Sequence, residues 1–146
     1  MALRIILGFV FVGMAVGQLV SWQRMPEILG AYQALSAAAL PWLAGALAGA
    51  ELVCGTWFLA RPRSHELTPV WVYTAVSVVW AVLGVQAYLR GLEVANCGCF
   101  GVYLTQRLSP FVLAQDALLL VYAGWMIRAG MRARQPAPER EEVRVG

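Results

Sequence analysis

Residues 39–60 read ALPWLAGALAGAELVCGTWFLA, with one charged side chain, Glu51, in the run and Arg61-Pro62 directly after it. A helix needs about 20 apolar residues at 1.5 Å rise each to cross the hydrocarbon of a bilayer, and this run has that length. Three more runs share its character, at about 3–21, 70–89 and 111–131. Hydrophobic residues make up 60% of the chain and charged residues 13%, a balance that excludes a soluble domain of 146 residues. The expected fold is therefore an all-α integral membrane protein. It is a four-transmembrane-helix bundle over 1–131, followed by a disordered cytoplasmic tail over 132–146. The first run resembles a signal peptide in its early Arg4 and its small Ala15 and Gly17. It exceeds the roughly 7–15 apolar residues of a signal core, so it reads as a retained span.

Charge sets the orientation. The net charge is +3, and every basic side chain other than His65 is arginine. Four spans leave both termini and the 61–67 connection on one side, with Arg4, Arg61, Arg63, Arg128, Arg132, Arg134, Arg140 and Arg144. The other side holds only Arg24, Arg90 and Arg107. Basic residues stay cytoplasmic, so both termini should be inside and the 90–109 loop outside. The charge points to the lipid bilayer and not to nucleic acid.

The connections carry signals of their own. Met25, Ile28, Leu29, Tyr32 and Leu35 recur at helical spacing behind Pro26, which predicts a short amphipathic surface helix over 25–36 capping the bundle. Thr68-Pro69 and Ser109-Pro110 read as capped helix starts. Gly13-x-x-x-Gly17 and Gly45-x-x-x-Gly49 fall at matching depth and predict a close seam between the first two spans. Trp22, Trp42 and Tyr88 at outer ends, with Trp57, Trp71 and Tyr73 at inner ends, read as an interfacial belt.

The chemistry lies in Asn96-Cys97-Gly98-Cys99-Phe100-Gly101, inside the outer loop. Cysteines at i and i+2 can pair only where the backbone bends, and Gly98 permits the bend. Such a ring is strained, constrains little chain and makes a poor staple, but strained disulfides are oxidising and labile. The outer compartment is the one in which disulfides persist. Arg90 and Arg107 flank the loop and would favour a thiolate. A metal is not expected, because two thiols are half a zinc site and His65 lies on the opposite side. An inert loop lock remains the competing reading. Cys54 lies about 15 residues, or roughly 22 Å, below the outer end of its span and reads as a small buried residue.

Ionisable groups inside spans default to functional candidates. Asp116 lies near the outer end of the last span, where the chain can fold it beneath the loop; it reads either as a proton-handling group or as an interhelical hydrogen-bonding one. Gln18, Gln86 and Gln115 fall at similar depth and could hold a quinone head group, or could be interhelical hydrogen-bonding groups. Glu51 reads as a deeper, structural acid, out of reach of the cysteines.

Arg4, Gly8 and Gly17, then Pro41, Glu51 and Gly55, then Cys97-Gly98-Cys99-Phe100-Gly101 and the last span together resemble the MauE family, within the MauE/DoxX group of redox-associated membrane proteins. The likeness covers about residues 4–130, and the Cys-Gly-Cys-Phe-Gly run is its most specific part. That family often carries a basic residue where this chain has Gln18. The resemblance implies thiol–disulfide exchange between Cys97/Cys99 and a thioredoxin-like periplasmic partner, during maturation of exported proteins, in a bacterial inner (plasma) membrane. The chain would then be a thiol–disulfide oxidoreductase or an electron-transfer component. The architecture is similar to the cores of the DsbB and vitamin K epoxide reductase groups, which couple disulfides to quinones. Those carry Cys-x-x-Cys and a second pair, so a quinone here is an analogy. A non-catalytic membrane scaffold or assembly factor is the alternative, and a DoxX-like quinone-binding subunit of a respiratory oxidoreductase is a third reading.

Overall fold

The structure is a computed structural model that describes residues 1–64 and 66–134. Its helices are α1 (Ala2–Val20), α2 (Met25–Gly30), α3 (Leu40–Ala60), α4 (Thr68–Leu89) and α5 (Pro110–Arg134), with a single 3-10 turn at Trp22–Arg24 leading into α2. The four long helices α1, α3, α4 and α5 each contain an 18-residue stretch of mean hydropathy 2.1, 1.5, 1.7 and 1.5 respectively, and each is long and apolar enough to cross a membrane. The fold is an all-α bundle of four such helices with a short fifth helix across one end. α5 continues through Arg134, three residues beyond the expected span, and the rest of the expected disordered tail lies outside the described residues, as does His65.

Local chemistry sets the helix ends. α3 stops where Arg61 leaves helical geometry at φ −133° just before Pro62, which can supply no backbone N–H to another turn. α4 opens with proline in its first turn, but Thr68 is already helical and the capping position falls on Leu67. The expected hydroxyl cap is therefore absent, and the helix start rests on Pro69.

α1 packs along α3, and α4 packs on both α3 and α5. The α1–α3 seam does not use the glycine pairs that the sequence suggested. A Cβ on Gly8 would lie 2.8 Å from Leu59 and 3.1 Å from the Gly55 carbonyl, and one on Gly55 would lie 2.9 Å from Val12. Gly8 and Gly55 are thus where the backbones close up. Gly49 meets nothing, Gly45 faces the Trp22 ring, and Gly13 and Gly17 face the 90–109 loop. Depth along two helices cannot say which faces meet.

Phe11, Tyr73 and Phe58 form the centre, with ring centroids 4.9 and 5.9 Å apart. Tyr73 is fully buried, and its hydroxyl donates to the Leu119 carbonyl at 2.8 Å, so it ties α4 to α5 and does not belong to the interfacial belt. At one end, Arg4 donates to Ser64 Oγ at 3.3 Å and to the Glu66 carbonyl at 3.4 Å. Met1, Arg4, Arg63, Trp125 and Met126 border one cavity there of about 410 Å³. The start of α1, the α3–α4 connection and the end of α5 therefore share that end of the bundle.

α2 and the loop before α5 close the other end. Met25, Leu29 and Tyr32 are buried in the common core. The helix is shorter than the 25–36 pattern suggested. It ends at Gly30, Gln33 takes a left-handed φ of 50°, and Leu35 is exposed.

Candidate functional site

The loop between α4 and α5 does not sit above the bundle; it folds down into it. Within the loop, the Cys97 N–H donates to the Gln106 carbonyl at 2.8 Å and the Leu108 N–H to Val94 at 2.9 Å. Asn96 organises the tip: its Oδ1 accepts the Gly98 N–H at 3.0 Å, and its Nδ2 donates to the Gly101 carbonyl at 2.8 Å. Gly98 and Gly101 turn the chain at φ 84° and 63°, a region that side chains with a Cβ disfavour. The tip then docks on α1. A Cβ on Gly17 would lie 2.6 Å from the Phe100 carbonyl oxygen, and Ser21 Oγ accepts the Val102 N–H at 3.1 Å.

This seating brings Cys97 and Cys99 together. Both are free thiols, with Sγ atoms 3.5 Å apart and within hydrogen-bonding reach of each other. Cys97 is 1% exposed, while Cys99 is half-buried. Tyr32 donates its hydroxyl to the Cys97 carbonyl at 2.8 Å, fixing the turn after α2 to the loop. Burial, with the nearby cysteines and Asp116, pushes the Tyr32 phenol well up, so it stays a donor. The Cys99 thiol hydrogen bond holds Cys97 down to about 7, against the opposing effect of burial. Cys99 moves the other way, because it shares its hydrogen bond with Cys97 and is buried. In the singly ionised pair the two sulfurs share one proton: Cys97 is the acidic sulfur and Cys99 its donor. The flanking arginines make their contacts elsewhere on the surface. Arg90 is exposed and donates to the Gln33 carbonyl and to Gln86 Oε1, both at 3.1 Å. Arg107 is exposed and borders a surface groove with Glu93 and Tyr88.

Glu51 is the main departure from the sequence reading. It is fully buried, yet Gln18 Nε2 donates to its Oε2 at 2.7 Å and to the Cys99 carbonyl at 3.1 Å. Trp80 Nε1 donates to Glu51 Oε1 at 2.8 Å. The acid expected to be out of reach is therefore one side chain away from the loop, because the loop descends to meet it. Cys54 stays apart, buried in α3 with its thiol on the Pro69 carbonyl at 3.3 Å. Asp116 is 8% exposed, its Oδ2 lies against Gly84 of α4, and its charge acts on both cysteines.

The three glutamines do not converge. Gln18 is held between Glu51 and Cys99, Gln86 donates to the Tyr32 carbonyl at 2.8 Å, and Gln115 is exposed on α5. Gln18 Nε2 spends both its hydrogens on Glu51 and Cys99, while Gln86 and Gln115 are placed elsewhere, so the three amides do not face one common head-group position. As a trio they do not form the head-group site that the sequence suggested, and no step below passes through a quinone. Among the described residues no group of three or more His, Cys, Asp or Glu could hold a metal ion.

Sequence reasoning missed Asn96, Tyr32, Trp80 and Ser21. Asn96 was legible, since an Asn two residues before a glycine is the pattern of an Asx turn. The other three give no local signal, because their partners lie 29 or more positions away in the chain.

Fold and site together define a class: a four-span membrane protein that holds a vicinal-type dithiol in a loop docked into one end of the bundle. The family profile of methylamine utilisation protein MauE matches residues 1–129, and the chain belongs to that family of membrane proteins involved in methylamine utilisation. Neither curated proteins nor solved structures gave a match to the chain.

Proposed function

We propose that this protein is a membrane thiol–disulfide redox protein. Its Cys97/Cys99 pair exchanges electrons with a thioredoxin-like periplasmic partner during maturation of exported proteins. The observation that carries this reading is the pair itself: two free thiols 3.5 Å apart, one of them held down to about 7. A stabilised thiolate favours the reduced form, which makes the corresponding disulfide a stronger oxidant.

Burial supports an order of events. Cys99 is the more accessible residue of the pair and is assigned as the sulfur a partner thiolate attacks, with Cys97 as the leaving group. Attack on Cys99 breaks the Cys97–Cys99 bond and forms a mixed disulfide, with the electron pair going to Cys97. A second partner thiol then displaces Cys99, and the partner leaves oxidised. Low-pKa thiols leave faster, which suits Cys97 to that role.

The arginine distribution supports placing the pair outside a bacterial inner membrane, with both termini cytoplasmic. In intact cells after mild reduction, a membrane-impermeant maleimide should label the loop thiols and spare a C-terminal tag cysteine; the inverse pattern reverses the topology. For the chemistry, redox titration with thiol alkylation should give a midpoint above the roughly −300 mV ceiling of structural disulfides. A lower midpoint would leave a loop lock in a membrane scaffold.

A further inference from the structure

Glu51 lies within a membrane-spanning helix, and its partners among the described residues are the neutral donors Gln18 and Trp80. Charge there is costly unless it is compensated, and these two hydrogen bonds are what compensate it. Both donors touch the Cys-Gly-Cys loop. Gln18 also donates to the Cys99 carbonyl, and the Trp80 ring lies 3.7 Å from where a Cβ on Gly98 would stand. Gln18 is fully buried, and its Oε1 has no hydrogen-bond partner. The cluster therefore has acceptors in excess and lacks one donor, which a proton on Glu51 supplies.

The loop is built so that closing the sulfur–sulfur bond moves Cys99 more than Cys97. Cys97 is fixed at both backbone groups, by Gln106 and by Tyr32. The Cys99 carbonyl is held by Gln18. Drawing two sulfurs from 3.5 Å to the roughly 2.05 Å of a bond thus displaces the one residue whose anchor is also the donor to Glu51. A protonated Glu51 donating to Gln18 Oε1 requires the amide to turn, which breaks the Gln18–Cys99 bond. Proton and bond are alternatives.

We propose that Glu51 is a proton-carrying site whose occupancy is set by the redox state of Cys97/Cys99, with Gln18 and Trp80 as the coupling side chains. The inference rests on the thiol-exchange reading above. When a partner disulfide oxidises the pair, one S–S bond forms as the other breaks, and the two thiol hydrogens end on the partner's sulfurs. Glu51 takes one further proton from the aqueous phase in that step and returns it on re-reduction. The other titratable groups near it are Cys54 on its own helix and Cys99 in the loop. Asp116 acts on the cysteines from α5, and Arg4 on α1 is engaged at the far end with Ser64 and Glu66.

Redox-difference infrared spectroscopy of the full chain in phospholipid vesicles tests this. Oxidation should raise a carboxylic-acid carbonyl band that shifts on isotopic labelling of glutamate carboxyl carbons. Glu51→Gln should abolish the band, and Gln18→Leu should leave it equal in both redox states. If Glu51→Gln fails to fold, the labelled unaltered chain decides alone. A pair that oxidises and reduces fully by alkylation with no glutamate band overturns the coupling and leaves thiol exchange standing. A pair that does not oxidise overturns both.

Discussion

Gly17→Ala adds one methyl group where the structure leaves no room for it. The new carbon would stand 2.6 Å from the Phe100 carbonyl oxygen and 2.9 Å from its carbon. Carbon and oxygen rest at about 3.3–3.6 Å, so the loop must retreat by about 0.7 Å or more. The clashing atoms are backbone, so no rotamer change can absorb the shift. A retreat of that size would stretch the Ser21–Val102 and Gln18–Cys99 bonds, both 3.1 Å, beyond useful length. Overpacking of this kind costs about 1–3 kcal/mol. Thermal unfolding in detergent should register that cost, and pulsed alkylation should show Cys97 reacting faster as the loop lifts. Gly49→Ala is the matched control, since a Cβ there meets nothing within 4 Å. Gly8→Ala is the second: it should loosen the α1–α3 seam and lower the unfolding temperature with little change in Cys97 reactivity. If Gly17→Ala and Gly49→Ala behave alike in both assays, the loop is not seated on α1 and the site described above does not exist.

Alkylation of Cys97 should rise with pH through about 7, because its lowered pKa populates the thiolate above that point and removes it below. Cys99→Ala deletes the donor and should move the profile upward; an unmoved profile refutes Cys99 as the cause. Asp116→Asn should slow re-oxidation of the pair by about 10²-fold or more if the carboxylate moves protons for exchange. A lowered unfolding temperature at an unaltered rate would make it a packing residue.

The apolar spans were fully legible in the sequence, because a bilayer admits few alternatives. With no water to satisfy backbone groups, each run of about 20 apolar residues must close its own hydrogen bonds as a helix. Arg61-Pro62 ended one such helix and Pro69 opened the next for equally local reasons. The Cys97-Gly98-Cys99 pair was legible as chemistry for the same reason: its spacing and its central glycine are properties of three adjacent residues.

What only the tertiary structure decided is everything that depends on which faces meet. Gly8 and Gly55, not the better-spaced pairs, became the close seam, since a small residue matters only where a partner backbone arrives. Gly17 received the loop in place of a helix, and that one docking event converted Glu51 from a remote acid into a neighbour of the cysteines. Counting residues along a span measures depth from the helix end. It cannot register a loop that turns at Gly98 and Gly101 and descends to that depth, because the hydrogen bonds that hold it there join residues up to 81 positions apart.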